Sequence, residues 1–190
     1  MKNTIPPHWE LAIKKRQNNF TISDTSTIRL LHDEDPKIRC DRLGSVCWFY
    51  CYRQTSSKDH QAMTTLARKV GSPHSCAYFM ENQNSKSTFP LYNTSNLPEE
   101  WIGTENNVQY YFRKHQGKSP GLFLDQRSNR RWLQKRSKGL RVLNLFSYTG
   151  GFSLNSAIGN AKEVVSVDQN RNFIEWSKKN FVLNNLYVSD

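Results

Sequence analysis

Residues 141–153 (RVLNLFSYTGGFS), followed by 164–168 (VVSVD), constrain this chain more than any other stretch. An apolar run leads into a Gly-Gly turn and then into a helix-like segment, and a second β-rich run ends on the carboxylate of Asp168. This order predicts the first β-α-β unit of a nucleotide-binding parallel sheet. In such a unit the loop after the first strand opens a helix whose N-terminal amides face the ligand. Gly150 and Gly151 let the backbone come close, because no Cβ intervenes. Asp168 lies 18 positions past Gly150. An acid at that distance, at the end of the second strand, can accept hydrogen bonds from ribose hydroxyls. The alternative is a Gly-Gly turn in an ordinary α/β core, with Asp168 capping a helix.

The loop is also defined by what it lacks. No G-x-G-x-x-G occurs in it, and that is the pattern suited to a pyrophosphate. Residues 147–151 form a shorter loop with bulkier side chains, better suited to a ligand with adenosine at one end and an amino acid at the other, S-adenosylmethionine (SAM). A nicotinamide-dependent oxidoreductase is disfavoured on the same ground.

Charge points to a polyanion. The net charge is +11, and residues 113–141 hold ten Lys or Arg against one acid, Asp125. After residue 141 the chain balances four bases with four acids. A basic segment beside a nucleotide pocket suggests nucleic acid, read here as RNA, although charge alone does not separate RNA from DNA. The candidate contacts are Arg113, Lys114, Lys118, Arg130, Arg131, Lys135 and Arg136. The alternative is a solvated basic helix face.

With 190 residues the chain has room for one sizeable domain or two small ones. No run approaches the roughly 20 apolar residues of a membrane span. Residues 1–7 (MKNTIPP) carry no apolar signal core. A soluble, cytoplasmic setting without a membrane partner is therefore expected. The four cysteines, at 40, 47, 51 and 76, form no C-x-x-C pair. They read as buried free thiols in a reducing compartment, and no metal is expected.

Periodicity predicts a helix over 8–20 and a linker over 23–26. It predicts strands over 28–32, 38–41 and 46–53, a helix over 58–70 and a strand over 74–81. Residues 82–105 read as loop-rich with one short strand. A strand follows over 108–114, a connecting helix over 125–137, and then alternating strands and helices, including a helix over 172–184. That alternation implies a parallel sheet. Trp176 reads as packing against that sheet.

Residues 121–131 (GLFLDQRSNRR), 142–153, 165–168 and 175–186 (EWSKKNFVLNNL) closely resemble one family. It is the SAM-dependent methyltransferases that modify bases of large-subunit ribosomal RNA, types I and K/L. A weaker likeness covers 28–35 (IRLLHDED) and 41–44 (DRLG). The resemblance implies an α/β fold: a small α+β N-terminal domain, then the first part of a Rossmann-like SAM-dependent methyltransferase domain. The implied divisions are an N-terminal helix and linker over 1–26, an α+β domain for substrate recognition over 27–118, and the SAM-binding domain over 119–190. Phe146, Ser147, Tyr148, Thr149, Gly150 and Gly151 would line the cofactor and Asp168 would bind its ribose. Gln126 and Arg127 would close over the methionine end, with Arg127 on its carboxylate; a surface or ion-pair role with Asp125 is the alternative for Arg127 and Arg130. Asn144 stands where many methyltransferases carry an acid. The family's catalytic Asn- or Asp-Pro-Pro segment is expected beyond Asp190, so no catalytic residue is named. The chain reads as an incomplete, inactive portion of an RNA methyltransferase. The competing reading is a non-catalytic RNA-binding module with a degenerate cofactor fold.

Overall fold

The computed structural model describes residues 5–17, 26–79, 92–93, 96–114 and 119–188. They fall into two compact units, Met1–Thr104 with Phe112–Pro120 and Glu105–Tyr111 with Gly121–Asp190.

In the first unit, β1 (Thr27–Leu31), β2 (Ile38–Leu43), β3 (Val46–Cys51), β4 (His74–Phe79) and β5 (Tyr92–Asn93) form one sheet in that order. β3 and β4 run parallel and the other pairs antiparallel. The parallel pair needs a crossover, and α2 (Ser57–Lys69) supplies it. A capping box starts that helix: the Ser56 hydroxyl accepts from the Asp59 amide, and the Asp59 carboxylate accepts from the Ser56 amide. α1 (Pro7–Gln17) joins it against the sheet. Trp9, Ala12, Ile13, Met63 and Leu66 close over Leu31, Cys47, Phe49 and Cys51.

Every residue of β3 is buried, because its other face is covered too. There Trp48 stacks on Tyr78 with centroids 4.4 Å apart and on Trp101 at 6.1 Å. Trp101 belongs to β6 (Glu100–Glu105), which pairs with β7 (Val108–Arg113). Asn106 and Asn107 join them with φ of 51° and 65°, the left-handed pair that suits a two-residue hairpin turn. The expected single short strand of 82–105 is thus two, β5 and β6, among the described residues; 80–91, 94 and 95 lie outside them, as do 18–20 of the first helix and 23–25 of the linker.

The second unit is built on a parallel pair, β8 (Arg141–Leu145) and β9 (Glu163–Val167), in register from Arg141 opposite Glu163 to Leu145 opposite Val167. α4 (Gly151–Ile158) is the crossover and α5 (Arg171–Leu183) follows β9. The expected helix over 125–137 is a 3-10 turn, Leu124–Gln126, running into α3 (Arg127–Gln134), which packs on α4. Both strands alternate in exposure. Their inner positions face α4, where Asn144 Nδ2 and Ser166 Oγ both donate to Ser153 Oγ, at 2.8 and 2.7 Å. On the outer face Leu143, Leu145, Val165 and Val167 are exposed. Among the described residues no helix is long and apolar enough to cross a membrane.

Candidate cofactor site

The loop between β8 and α4 stands at the carboxyl ends of both parallel strands, where open α/β sheets bind ligands. Two hydrogen bonds fasten it to the end of β9. The Ser147 amide donates to the Val167 carbonyl at 3.0 Å, and the Tyr148 amide donates to Asp168 Oδ2 at 2.8 Å. The other oxygen, Asp168 Oδ1, accepts from the Asn170 amide at 2.9 Å. Asn170 itself caps α5 by accepting from the Asn172 amide. Asp168 is therefore the clip between the two strand ends, and a carboxylate still has acceptor sites left after two bonds.

The loop backbone is held in an uncommon shape. Phe146, Tyr148 and Gly150 have φ of 55°, 50° and 76°. Left-handed non-glycine residues cost on the order of 1 kcal/mol or more each and gather at functional sites. The surroundings hold Tyr148 in place: its ring meets Phe123 at 5.3 Å and Phe173 edge-on at 4.6 Å. Gly150 is required twice over. Its φ disfavours a side chain, and a Cβ there would stand 1.9 Å from Ser177 Oγ.

Segment 121–124 backs this loop. Thr149 Oγ1 donates to the Gly121 carbonyl at 2.5 Å, and Leu122 lies under Gly151. A Cβ on Gly121, whose φ is 141°, would meet the Trp176 ring at 2.7 Å. Trp176 is fully buried and donates to the Tyr111 carbonyl at 3.1 Å. Asn180 is a further support: its Nδ2 donates to the Thr149 carbonyl at 2.9 Å and its Oδ1 accepts from the Tyr111 amide at 2.8 Å. Ser177 and Asn180 carry no sequence signal of their own. An i, i+3 pair of small polar residues on a predicted core helix was the available hint.

The structure brings Phe146, Ser147, Tyr148, Thr149, Gly150, Gly151 and Asp168 together. Gln126 and Arg127 have other bonds: the Gln126 carboxamide joins Asp125 and Asn129, and Arg127 Nη2 donates to Asn106 Oδ1 at 3.0 Å. Burial, the largest influence on Arg127, pulls its pKa down, and Glu105 opposes it.

The residues fit SAM in their chemistry. Asp168 offers acceptors for ribose. The Ser147 hydroxyl is buried and has no hydrogen-bond partner among the described residues, as expected of a group that faces a polar ligand. Phe146 projects an exposed ring beside them (89%), apolar surface suited to an adenine face.

The basic segment is less open than its sequence implies. Arg130 is buried, with Nε and Nη2 bidentate on buried Glu105 at 2.8 Å each and Nη1 on the Phe123 carbonyl at 2.8 Å. It is a structural ion pair and leaves the list of RNA contacts; the partner is Glu105, not Asp125. Arg113 pairs with Glu100 at 2.6 Å and Lys114 with Glu99 at 3.0 Å. Arg131, Lys135 and Arg136 are exposed. Lys118 lies outside the described residues.

Fold and site thus define a Rossmann-like nucleotide-site protein of the methyltransferase class. Residues 66–189 match the model of the S-adenosylmethionine-dependent methyltransferase family, and the chain belongs to that family. It is 47% identical over 87 residues to the ribosomal RNA large subunit methyltransferase K/L of Shewanella oneidensis, an alignment that covers 46% of this chain and 12% of that protein. A solved structure from Streptococcus mutans, described as a candidate SAM-dependent methyltransferase, superposes with a TM-score of 0.80 at 26% identity, covering 96% of this chain and 49% of that one. Another, of a candidate methyltransferase complexed with SAH, gives 0.81 at 27% identity, covering 96% and 48%. The chain therefore spans about half the length of the solved structures it matches, and its alignment with the K/L relatives covers about an eighth of theirs.

Proposed function

We propose that this chain forms the cofactor-holding part of a SAM-dependent methyltransferase acting on a base of RNA, namely large-subunit ribosomal RNA, in the cytoplasm. The observation that carries the reading is the strained loop Phe146–Gly150 clipped onto Asp168 with the buried Ser147 hydroxyl beside it. When bound, SAM supplies the methyl group as a sulfonium. The chain's own part is to hold and orient: Asp168 takes the ribose hydroxyls, Ser147 a polar edge, Phe146 the adenine face, and Gln126 with Arg127 the methionine end. Positioning of this kind supplies a large share of the barrier lowering in a two-substrate transfer. The identity to the K/L relatives supports RNA as substrate. We assign RNA recognition to the α+β part, 27–118, together with exposed bases of α3.

The test has two arms. Calorimetric titration of the chain should show SAM binding and none for NAD; the reverse would reject the cofactor reading. Labelled methyl transfer by the protein should reach large-subunit ribosomal RNA. Transfer to protein or small molecules alone would reject the substrate class.

A further inference from the structure

Four of the five tryptophans are buried: Trp9, Trp48, Trp101 and Trp176. Trp132 is the exception, at 56% exposure on the outer side of α3. One turn on, Arg136 lays its guanidinium over the ring, 4.6 Å from the centroid. Beside the pair is an open depression of about 420 Å³ lined by Asn129, Trp132, Leu133 and Phe152. Its walls come from α3 and α4, and neither helix contains an Asp or Glu. Arg131, on α3, and Lys135 and Lys138, in the turn after it, are exposed. An exposed indole wastes apolar area in water, and a guanidinium over it holds the ring plane in one attitude.

We propose that Trp132, with Arg136, is a stacking platform for an unpaired base of a single-stranded RNA segment, whose phosphates are met by Arg131, Lys135 and Lys138. Single strands are held by such a combination, aromatic and guanidinium planes under the bases with cations along the backbone. A duplex keeps its bases stacked on each other and offers no face to the indole. The depression beside the ring gives the base room, and the acid-free walls match the charge of the strand. This inference rests on the RNA reading above and adds a strand type and a named contact that charge alone does not specify.

The test uses the whole chain with end-labelled oligo(A) RNA and a blunt RNA duplex of the same length. Binding is read by anisotropy, and Trp132 by intrinsic fluorescence with acrylamide as quencher, since it is the accessible indole. Oligo(A) should quench the exposed emission and shield it from acrylamide, and the duplex should not. Trp132→Ala should weaken oligo(A) binding about 5- to 100-fold, the range of one lost base–aromatic stack, with the salt dependence unchanged. Trp132→Phe, which keeps a stacking face, should bind within a few-fold of wild type and lose the fluorescence response; circular dichroism reports that both variants fold. Oligo(A) binding with Trp132 still open to acrylamide, or wild-type affinity in Trp132→Ala, would overturn the stacking platform and leave the RNA reading standing. No binding of either RNA would overturn both.

Discussion

Arg130 and Glu105 show what a single residue pair decides in this chain. Both are almost fully buried and joined by two 2.8 Å bonds. Two desolvated charges are tolerated because each satisfies the other; removing one strands its partner. Arg130→Met should therefore cost about 3–5 kcal/mol in urea unfolding, and Arg130→Met combined with Glu105→Leu should recover most of it. Equal losses in the single and double variants would show that the pair is not the stabilising unit. Asp168 acts differently, since it is only half-buried and holds the loop by one bond from the Tyr148 amide and its own turn by one from Asn170. Asp168→Ala should weaken SAM binding by about 1–3 kcal/mol, the scale of a charged hydrogen bond. Unchanged affinity by calorimetry would place the ribose elsewhere.

At the scale of elements, the loop from β8 to α4 depends on Gly150. Alanine there would meet both a φ of 76° and a Cβ contact of 1.9 Å with Ser177. Gly150→Ala should lower the thermal midpoint, and Gly150→Ala with Ser177→Gly should restore part of it, because the contact is relieved and the backbone strain is not. An additive double variant would mean the clash is absent. The Gly-Gly turn, its strand and the acid after the next strand were legible because a β-α-β unit writes its period and its turn chemistry into adjacent residues. β6 was not: residues 100–105 (EWIGTE) do not alternate, with Ile102 at an exposed position and Glu105 at a buried one, and they become a strand by pairing with β7 and by stacking Trp101 on Trp48. The left-handed loop residues were hidden for a similar reason. Phe146 and Tyr148 have no propensity for that conformation, and only neighbours distant in sequence hold them there. The joining of segment 121–124 to the loop was visible as two motifs, but its cause, the bond from Thr149 to the Gly121 carbonyl, needed coordinates.

Over the whole molecule the four cysteines are free and buried, all of them in the first unit. Burial raises the thiol pKa of Cys40 and Cys76, and it pushes Cys51 up from its ordinary 9.0 to about 12. A group whose folded pKa is raised contributes stability that is intact below its unfolded pKa and lost as pH rises toward the folded one. The thiols' contribution to stability should be flat up to about pH 8.5, where free thiols begin to ionise, and fall above it, for Cys51 as far as pH 12. A thiol reagent should find no reactive cysteine in the native chain and four after denaturation. Fast native labelling would contradict the packing between the sheet and its helices.

Charge is the other property read over the whole chain, and here sequence overstates the surface. Ten bases lie in 113–141, and seven of them are the candidate phosphate contacts. Tertiary structure pairs Arg113, Lys114, Arg130 and Arg141 with Glu100, Glu99, Glu105 and Glu163, acids that lie outside the segment. A cation already paired releases fewer counterions from RNA when it binds. On the RNA reading, the exposed Arg131, Lys135 and Lys138 of α3 and its following turn are left for the phosphates, with Arg136 held on the Trp132 ring. At about 0.7 per phosphate on a single strand, three contacts give a log–log salt slope near −2, against about −5 for seven. Changing Arg131, Lys135 and Lys138 to Gln should flatten the slope by about 2, whereas Arg113→Gln and Lys114→Gln should leave it nearly unchanged. Filter binding of a short single-stranded RNA across a salt series separates the outcomes, and a slope near −5 would mean that the four ion pairs open when RNA arrives.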